Sequence, residues 1–322
     1  MGVQTCQMNS LKLIVPFLLS VFMFGCVGSG SENQNAENKT GQITEEPTTP
    51  VRDQQPPLLM IKEFLLDNAG SEVLLKHTTF STSGNKLSEL HFSTEKPGEP
   101  ARRILFNHNS DRQLTQETIL SDDQKQISTF SYDRTGRVIR KLVINEQQKG
   151  HHEMYRYDEN GDLRNTKWLD HKGKFQRQEA FVRELNRDGF LKRETLKLEN
   201  EAGEFVEVLE GRNFKYDKVG NKTREVTLSP DGKTRSIMEF QYDQDGQLTQ
   251  RVEKDDEEKV ILTENYTYNQ FGEISKLNSE NAEGTVANQT FEFDEYGNVV
   301  AETTERNGQV IETKKWTYQF QE

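Results

Sequence analysis

A tyrosine–aspartate–glycine motif recurs along the chain at nearly constant spacing, and this repeat constrains the fold more than any other feature. Six clear copies span Tyr132–Gly136, Tyr157–Gly161, Tyr216–Gly220, Tyr242–Gly246, Tyr268–Gly272 and Phe293–Gly297. Degenerate copies begin at Phe80, Phe106 and Leu185, and Tyr318 begins one more. Successive starts lie 26, 26, 25, 28, 31, 26, 26, 25 and 25 residues apart. Spacing this regular indicates one supersecondary unit repeated along the chain.

Each unit has the residues of two β-strands and two turns. Asp or Asn at the first turn position, with Gly three residues later, is typical of a type I turn followed by a left-handed glycine. Aromatic and polar residues alternate before the motif, as in Phe130-Ser-Tyr132 and Phe240-Gln-Tyr242. Period two places the rings on one face of a strand. A second turn signal, such as Lys149-Gly150 or Asp231-Gly232, stands halfway between motifs.

The sequence therefore predicts an all-β fold, an antiparallel array of β-hairpins in a meander. An earlier turn, Asp67–Gly70, places the start of the array near Leu58. So many twisted strands seldom remain one open sheet, so we expect a curled or partly wound sheet. We expect its aromatic face to look inward, because an exposed stripe of Tyr and Phe would aggregate.

Segments such as "YDRTGRVIRKLVINEQQKG" and "FDEYGNVVAETTERNGQ" resemble the YD repeats of the RHS family. The resemblance extends from Phe80 to the C-terminus. In large members of that family the repeats wind into a β-shell that encloses a C-terminal toxin. This chain ends within a repeat strand, "WTYQFQE", and has fewer repeats. We therefore expect neither a toxin-delivery role nor a shell that must close.

The N-terminus has the pattern of a bacterial lipoprotein signal peptide over residues 1–25. Lys12 precedes a short apolar run, residues 13–24, which is too brief for a membrane-spanning helix. The run ends in Met-Phe-Gly-Cys, which resembles a lipobox and implies cleavage before a lipid-modified Cys26. An ordinary cleaved signal or an uncleaved anchor is the alternative. Translation could start at Met1 or at Met8.

Residues 26–57 then form a lipid-anchor cysteine and a tether, and residues 58–322 form the repeat domain. The tether is rich in Gly, Ser, Asn, Glu, Thr and Pro, a composition that cannot bury enough apolar surface to fold. Its Cys26 is the only thiol left after cleavage, so no intramolecular disulfide is expected. The residue after Cys26 is not Asp, which by resemblance favours outer-membrane sorting. Which side of the membrane the domain faces stays open.

Charge and composition narrow the possible partners. The formal net charge is −12, and no run of Lys or Arg is present, which argues against nucleic acid or anionic headgroups as partners. The predicted contact with the membrane is the lipid on Cys26. An envelope protein or a polysaccharide is the expected macromolecular partner.

We predict no metal site, cofactor or catalytic residue. Asp158, Asn160 and Asp162 alternate as in a calcium loop, but Leu169 stands where the bidentate acid is needed. A turn is the better interpretation, and the motif at Asp243 and Asp245 is the next cation candidate. The six histidines lack ligand spacing, and neither a phosphate loop nor a nucleophile elbow occurs.

Trp168 and Trp316 are the candidate ligand-stacking residues, because an exposed indole stacks on sugar rings. Packing between strands is the competing interpretation for both. The sequence thus favours a lipid-anchored, non-enzymatic β-repeat scaffold or macromolecule-binding module of the bacterial envelope. A carbohydrate-binding surface lipoprotein is the alternative, and a hydrolase with an acidic site is a weaker one.

Overall fold

The computed structural model describes residues 56–67, 69–94, 96, 98–121 and 124–321. All of its regular structure is β. The twenty strands are β1 (Leu58–Leu66), β2 (Glu72–Phe80), β3 (Lys86–Phe92), β4 (Pro100–His108), β5 (Leu114–Ser121), β6 (Gln124–Tyr132), β7 (Val138–Asn145), β8 (Gly150–Tyr157), β9 (Leu163–Asp170), β10 (Phe175–Leu185), β11 (Leu191–Glu199), β12 (Phe205–Tyr216), β13 (Lys222–Leu228), β14 (Thr234–Tyr242), β15 (Leu248–Lys254), β16 (Val260–Tyr268), β17 (Ile274–Asn281), β18 (Val286–Phe293), β19 (Val299–Arg306) and β20 (Gln309–Phe320). The described residues include no helix with the length and apolarity to cross a membrane.

Every strand pairs antiparallel with its neighbours in sequence, which confirms the predicted meander of hairpins. The last strand, β20, also pairs antiparallel with β1, from Leu58 opposite Phe320 to Leu65 opposite Lys314. The sheet is therefore a closed barrel, and the expectation of a curled or partly wound sheet is wrong in that respect. An even number of strands lets the two free edges meet antiparallel, and closure satisfies backbone groups that an edge would leave unpaired.

Alternate hairpins turn at opposite ends of the barrel, which gives it two chemically distinct rims. The rim that carries the repeated motif, the motif rim, consists of turns 81–85, 109–113, 133–137, 158–162, 186–190, 217–221, 243–247, 269–273 and 294–298. The other turns form the far rim. Both β1 and β20 have their outer ends at the motif rim, where Gln321 N donates to Pro57 O at 2.9 Å. The chain therefore enters the barrel at the motif rim.

The turns have the predicted chemistry. At Asp133, the backbone N–H of Gly136 donates to Asp133 O at 3.2 Å, and Gly136 has a φ of 83°. Asp133 Oδ1 accepts from the backbone N–H groups of Thr135 and Arg137 at 2.9 and 3.0 Å. These bonds lower the pKa of the Asp133 carboxyl well below its usual range, the Arg137 N–H having the largest effect.

One predicted glycine turn is displaced. Lys149-Gly150 was expected to form the second turn of its unit, but Gln148 takes the left-handed position with a φ of 57°. Gly150 instead begins β8, where a Cβ would lie 1.7 Å from Val143 O. This glycine is needed for close approach of two strands.

The barrel wall is thin and has two unequal faces. We call one face of the sheet the aromatic face: it carries the rings of the repeats and the residues paired directly with them on neighbouring strands. The opposite face carries the side chains that alternate with these along each strand. Among the described residues only Ile104, Val143, Ala180 and Ile237 are buried apolar side chains. Near the motif rim the rings are half-buried, whereas opposite-face residues beside them are exposed, as at Ser131, Arg156, Gln241, Thr267 and Thr317. Cross-strand pairs, and no thick core, therefore hold this sheet together.

Candidate functional site

The motif tyrosines bind successive hairpins together at the motif rim. Five of them donate the hydroxyl to the backbone carbonyl of the first residue in the preceding strand. These bonds are Tyr132 to Leu114 O, Tyr157 to Val138 O, Tyr242 to Lys222 O, Tyr268 to Leu248 O and Tyr318 to Val299 O, at 2.7 to 2.9 Å. Burial raises the pKa of Tyr318 to about 12. The hydroxyl of these five tyrosines is thus a structural clip between neighbouring hairpins.

One hairpin uses a different clip. Where Leu185 replaces the motif tyrosine, Arg183 donates from Nη1 to Leu163 O at 2.7 Å. Arg183 also donates from Nε to Glu194 at 2.7 Å, and its guanidinium lies 5.1 Å from the Phe181 ring centroid. An arginine therefore replaces the phenol at the equivalent carbonyl. Sequence reasoning did not find this role for Arg183, although Leu185 in place of the motif tyrosine showed that this hairpin departs from the repeat.

A belt of ion pairs crosses the aromatic face at mid-height. The fifth residue after many motif glycines is charged and points to this face, as at Glu89, Lys141, Glu225, Arg251 and Glu302. The pairs include Lys76–Glu63, Arg183–Glu194, Lys222–Glu225 and Arg251–Glu264, with N···O distances of 2.6 to 3.3 Å. Paired charges at this level leave the face polar although rings flank it.

Glu302 is the most buried carboxyl of this belt, with 8% of its surface exposed. Burial raises its pKa, and Lys314 opposes that effect. Its side chain accepts from Gln289 Nε2 at 3.2 Å. Lys314 itself pairs with Glu312 at 3.1 Å. The belt thus contains a carboxyl whose ionisation the fold disfavours.

Trp168 lies on the aromatic face, in β9, directly between Glu153 of β8 and Arg177 of β10. The Arg177 guanidinium is 5.7 Å from the indole centroid and pairs with Glu179. Glu153 accepts from Tyr155 and hydrogen bonds with His151 Nε2 at 2.8 Å. The indole is therefore half-buried among polar groups, with a cation already near its ring.

Trp316 lies on the same face, in β20, directly opposite Glu63 of β1. It is also half-buried. Passing from β20 through β1 to β9 crosses nine strand pairings, so the two indoles stand on opposite sides of the ring. The fold does not bring the two candidate stacking residues together. The two indoles therefore do not belong to one shared ligand site.

Asp158, Asn160 and Asp162 occupy a motif-rim turn, as predicted. Asp158 Oδ1 accepts from the backbone N–H groups of Asn160 and Asp162 at 3.0 and 2.9 Å. Asp243 accepts in the same way from Asp245 and Gln247. Within the described ranges, no group of three or more His, Cys, Asp and Glu side chains is placed to hold a metal ion. These acids act as turn residues.

The two adjacent histidines point to opposite faces. His151 lies on the aromatic face beside Glu153, and His152 lies on the other face, where Nδ1 is 2.9 Å from an Arg140 Nη. Burial and Arg140 lower the pKa of His152. Cys26, the predicted lipid anchor, and most of the predicted tether lie outside the described residues.

The motif rim carries one surface that sequence reasoning missed, which we call the basic rim patch. It spans residues 184–193 and 215–219, in two neighbouring hairpins joined by the pairing of β11 with β12. Its exposed basic residues are Arg187, Lys192, Arg193, Lys215 and Lys218. Its exposed apolar residues are Leu185, Phe190 and Val219, at 56, 37 and 81%. The segments lie more than twenty residues apart, so no run of basic residues appears in the sequence.

No protein-family model matches the chain, and neither does any curated protein. Among solved structures, "Crystal Structure of TcdB2-TccC3-Cdc42" matches with a TM-score of 0.33 and 14% identity over 78% of this chain and 15% of that chain. A porin-like protein from Bacteroides uniformis ATCC 8492 matches with the same TM-score and identity, over 83% of this chain and 99% of that chain. This chain thus spans about 15% of the length of the first of these two chains. Likenesses this weak identify no shared function.

Proposed function

We propose that this protein is a lipid-anchored, non-enzymatic barrel of YD-like repeats that binds a macromolecule at the bacterial cell envelope. One observation carries the proposal: the hairpins form a closed ring that the chain enters at a single rim. Repeat arrays of this kind add surface without a thicker core, which suits binding. The RHS-like repeats support the same interpretation, because the family uses them as scaffold.

The anchor is Cys26, and the tether is residues 27–57. A tether joined at the motif rim would hold that rim toward the membrane and present the far rim away from it. Multiple acyl chains on Cys26 would make this attachment firm, since each buried methylene contributes about 0.8 kcal/mol. Outer-membrane sorting is part of the proposal.

The anchor is tested by the mass of the mature chain and by cell fractionation. The proposal expects a mature N-terminus at Cys26 that carries acyl chains, and membrane-bound protein. In the Cys26→Ser variant the acylated species should vanish. A mature chain that begins at another residue, or that carries no lipid, would contradict lipid anchoring at Cys26.

Protease shaving of intact and lysed cells, read with an antibody to the C-terminal repeats, then identifies the accessible compartment. Loss of signal on intact cells would direct the search for a partner to extracellular polymers and neighbouring cells. Protection until lysis would direct it to peptidoglycan and periplasmic proteins. A barrel recovered only from the cytoplasm would contradict the envelope function.

A second candidate function, carbohydrate binding, has one specific observation in its favour. Trp168 lies among a carboxylate, an imidazole, a phenol and a guanidinium, groups that hydrogen bond sugar hydroxyls. Saccharide fragments of the envelope should quench the fluorescence of Trp168 if it stacks on them. Trp168→Phe should abolish that quenching and Trp316→Phe should preserve it. Equal effects of the two variants would count against a site at Trp168.

A further inference from the structure

We propose that the basic rim patch docks on an anionic lipid surface and so orients the barrel on its membrane. The inference rests on the proposed function for the anchor, but the patch is defined by the fold alone. The patch contains five exposed basic residues and three exposed acidic ones, Glu184, Asp188 and Asp217. It is therefore locally positive, although the chain as a whole is negatively charged. Each basic side chain near an anionic surface strengthens binding roughly fivefold.

The exposed apolar residues of the patch lie in or beside two neighbouring turns. Phe190 stacks on Tyr216 with ring centroids 5.1 Å apart. Its ring also presses on the neighbouring turn, because a Cβ on Gly220 would lie 2.8 Å from Phe190 Cζ. Phe190 therefore bridges the two turns; Leu185 directly precedes the first turn, and Val219 lies within the second. Apolar side chains among basic ones are what the headgroup boundary of an anionic membrane accepts.

Other hairpins of the same rim have the opposite character. Residues 241–247, 267–273 and 292–298 expose Asp243, Asp245, Glu292 and Glu295 and contain no Lys or Arg. An anionic surface would repel these hairpins and attract the patch. The asymmetry therefore selects one sector of the rim for contact with lipid.

The path of the chain agrees with this orientation. The predicted tether joins β1 at the motif rim, and the patch stands on the same rim about half the ring away, at β10 to β12 and the turn after β12. A membrane that holds the tether on one side and the patch on the other would contact this rim from two separated points. The far rim would then be directed toward its partner.

The test uses the full chain reconstituted in phosphatidylcholine vesicles with and without phosphatidylglycerol, with brominated acyl chains as quenchers. Val219→Trp places an indole in the patch, and Val310→Trp, 61% exposed in the parent at the far rim, is the matched control. Both are built on Trp168→Phe and Trp316→Phe. We expect phosphatidylglycerol to increase quenching at 219 several-fold and to leave position 310 unquenched.

Matched charge variants supply the second arm. Lys218 and Arg134 hold the same position in their motif-rim turns, one inside the patch and one outside it. Lys218→Gln should reduce quenching at position 219 several-fold, and Arg134→Gln should change it little. Equal quenching at 219 and 310, equal effects of the two charge variants, or no response to phosphatidylglycerol would overturn the proposal.

The anchor and the patch can fail separately. Sedimentation with vesicles that lack phosphatidylglycerol reports the anchor, whereas the difference between positions 219 and 310 reports the patch. A chain that leaves the neutral vesicles contradicts lipid anchoring. In that case titration with phosphatidylglycerol vesicles should still quench the fluorescence of the indole at position 219 at high lipid concentration. If no quenching is seen there, the docking proposal is wrong.

Discussion

Two sectors of the barrel solve the same structural problem with different residues. In the regular sector, β13 to β20, the motif starts are 25 or 26 residues apart, and Tyr242, Tyr268 and Tyr318 clip the hairpins. In the irregular sector, β9 to β12, the starts are 28 and 31 residues apart, and Arg183 is the clip. Only the irregular sector carries the basic rim patch. The loss of a repeat residue coincides with the appearance of a distinct surface.

The largest expected effect is the removal of the irregular clip. Arg183→Met removes donors from both Leu163 O and Glu194, so we expect a loss of about 2 to 3 kcal/mol in the free energy of unfolding. Chemical denaturation measures it. Adding Leu185→Tyr should recover about 1 kcal/mol, because the phenol can then donate to the freed carbonyl. If Leu185→Tyr stabilises the parent as much as the variant, the two clips are not equivalent.

The next effect compares matched turn glycines. Gly246→Ala meets nothing within 4 Å, and its cost of about 1 to 2 kcal/mol comes from the left-handed backbone. Gly220→Ala has the same strain and also displaces Phe190 from its stack on Tyr216, for about 1 kcal/mol more. Thermal denaturation compares them. In a Phe190→Ala background the difference between the two variants should disappear, and a difference that persists there would contradict this account.

Removal of single hydroxyls from the regular sector should have a smaller effect. Tyr242→Phe and Tyr268→Phe each delete one bond to a backbone carbonyl, at a cost of about 1 kcal/mol in the free energy of unfolding. Tyr216→Phe is the matched control, because Tyr216 is not among the five motif tyrosines that donate to a strand carbonyl, and the variant preserves its ring stack on Phe190. Similar losses at all three positions would show that the hydroxyl bond is not what distinguishes the sectors.

The smallest expected effect is a difference in alkaline stability. The pKa of Tyr318 is raised by burial to about 12, against about 10 for a free tyrosine. The folded state therefore favours the protonated phenol, and this stability is complete below pH 10 and is lost as the pH rises toward 12. Arg183 keeps its charge over that range.

The two tryptophans report this difference, since Trp316 lies in β20 of the regular sector and Trp168 lies in β9 of the irregular sector. As the pH rises from 10 to 12, amide exchange around Trp316 should increase before exchange around Trp168. Tyr318→Phe should remove the pH dependence that Tyr318 contributes at Trp316. Simultaneous loss at both strands in the parent would indicate that the barrel opens as one unit.

Much of the local structure could be predicted from the sequence. The alternation in Phe240-Gln-Tyr242 predicted a strand with its rings on one face, and β14 ends there with both rings half-buried. The turn at Asp158 was also predictable, because Asp and Gly at that spacing satisfy the bonds of a type I turn. The turn predicted at Lys149-Gly150 was wrong, because Gln148 adopts the left-handed conformation of that turn and Gly150 lies in β8 at a close contact between strands.

The candidate site was less accessible to sequence reasoning. Trp168 and Trp316 could be named from composition, but their positions on opposite sides of a ring could not. Arg183 lies two residues before the missing tyrosine, and only the path of its side chain reveals the carbonyl that it serves. Distances across strands depend on register, which small bulges alter from hairpin to hairpin.

By itself, the sequence determined the repeat, the hairpins, most turn positions and the placement of the rings on one shared face, because these follow from interactions within about five residues. Only the tertiary structure decided that β20 pairs with β1, that the two tryptophans are apart and that basic residues of two hairpins form one patch. These features depend on residues far apart in the chain. Their pairing is fixed by closure of the whole sheet, since no local segment determines which edge another edge will meet.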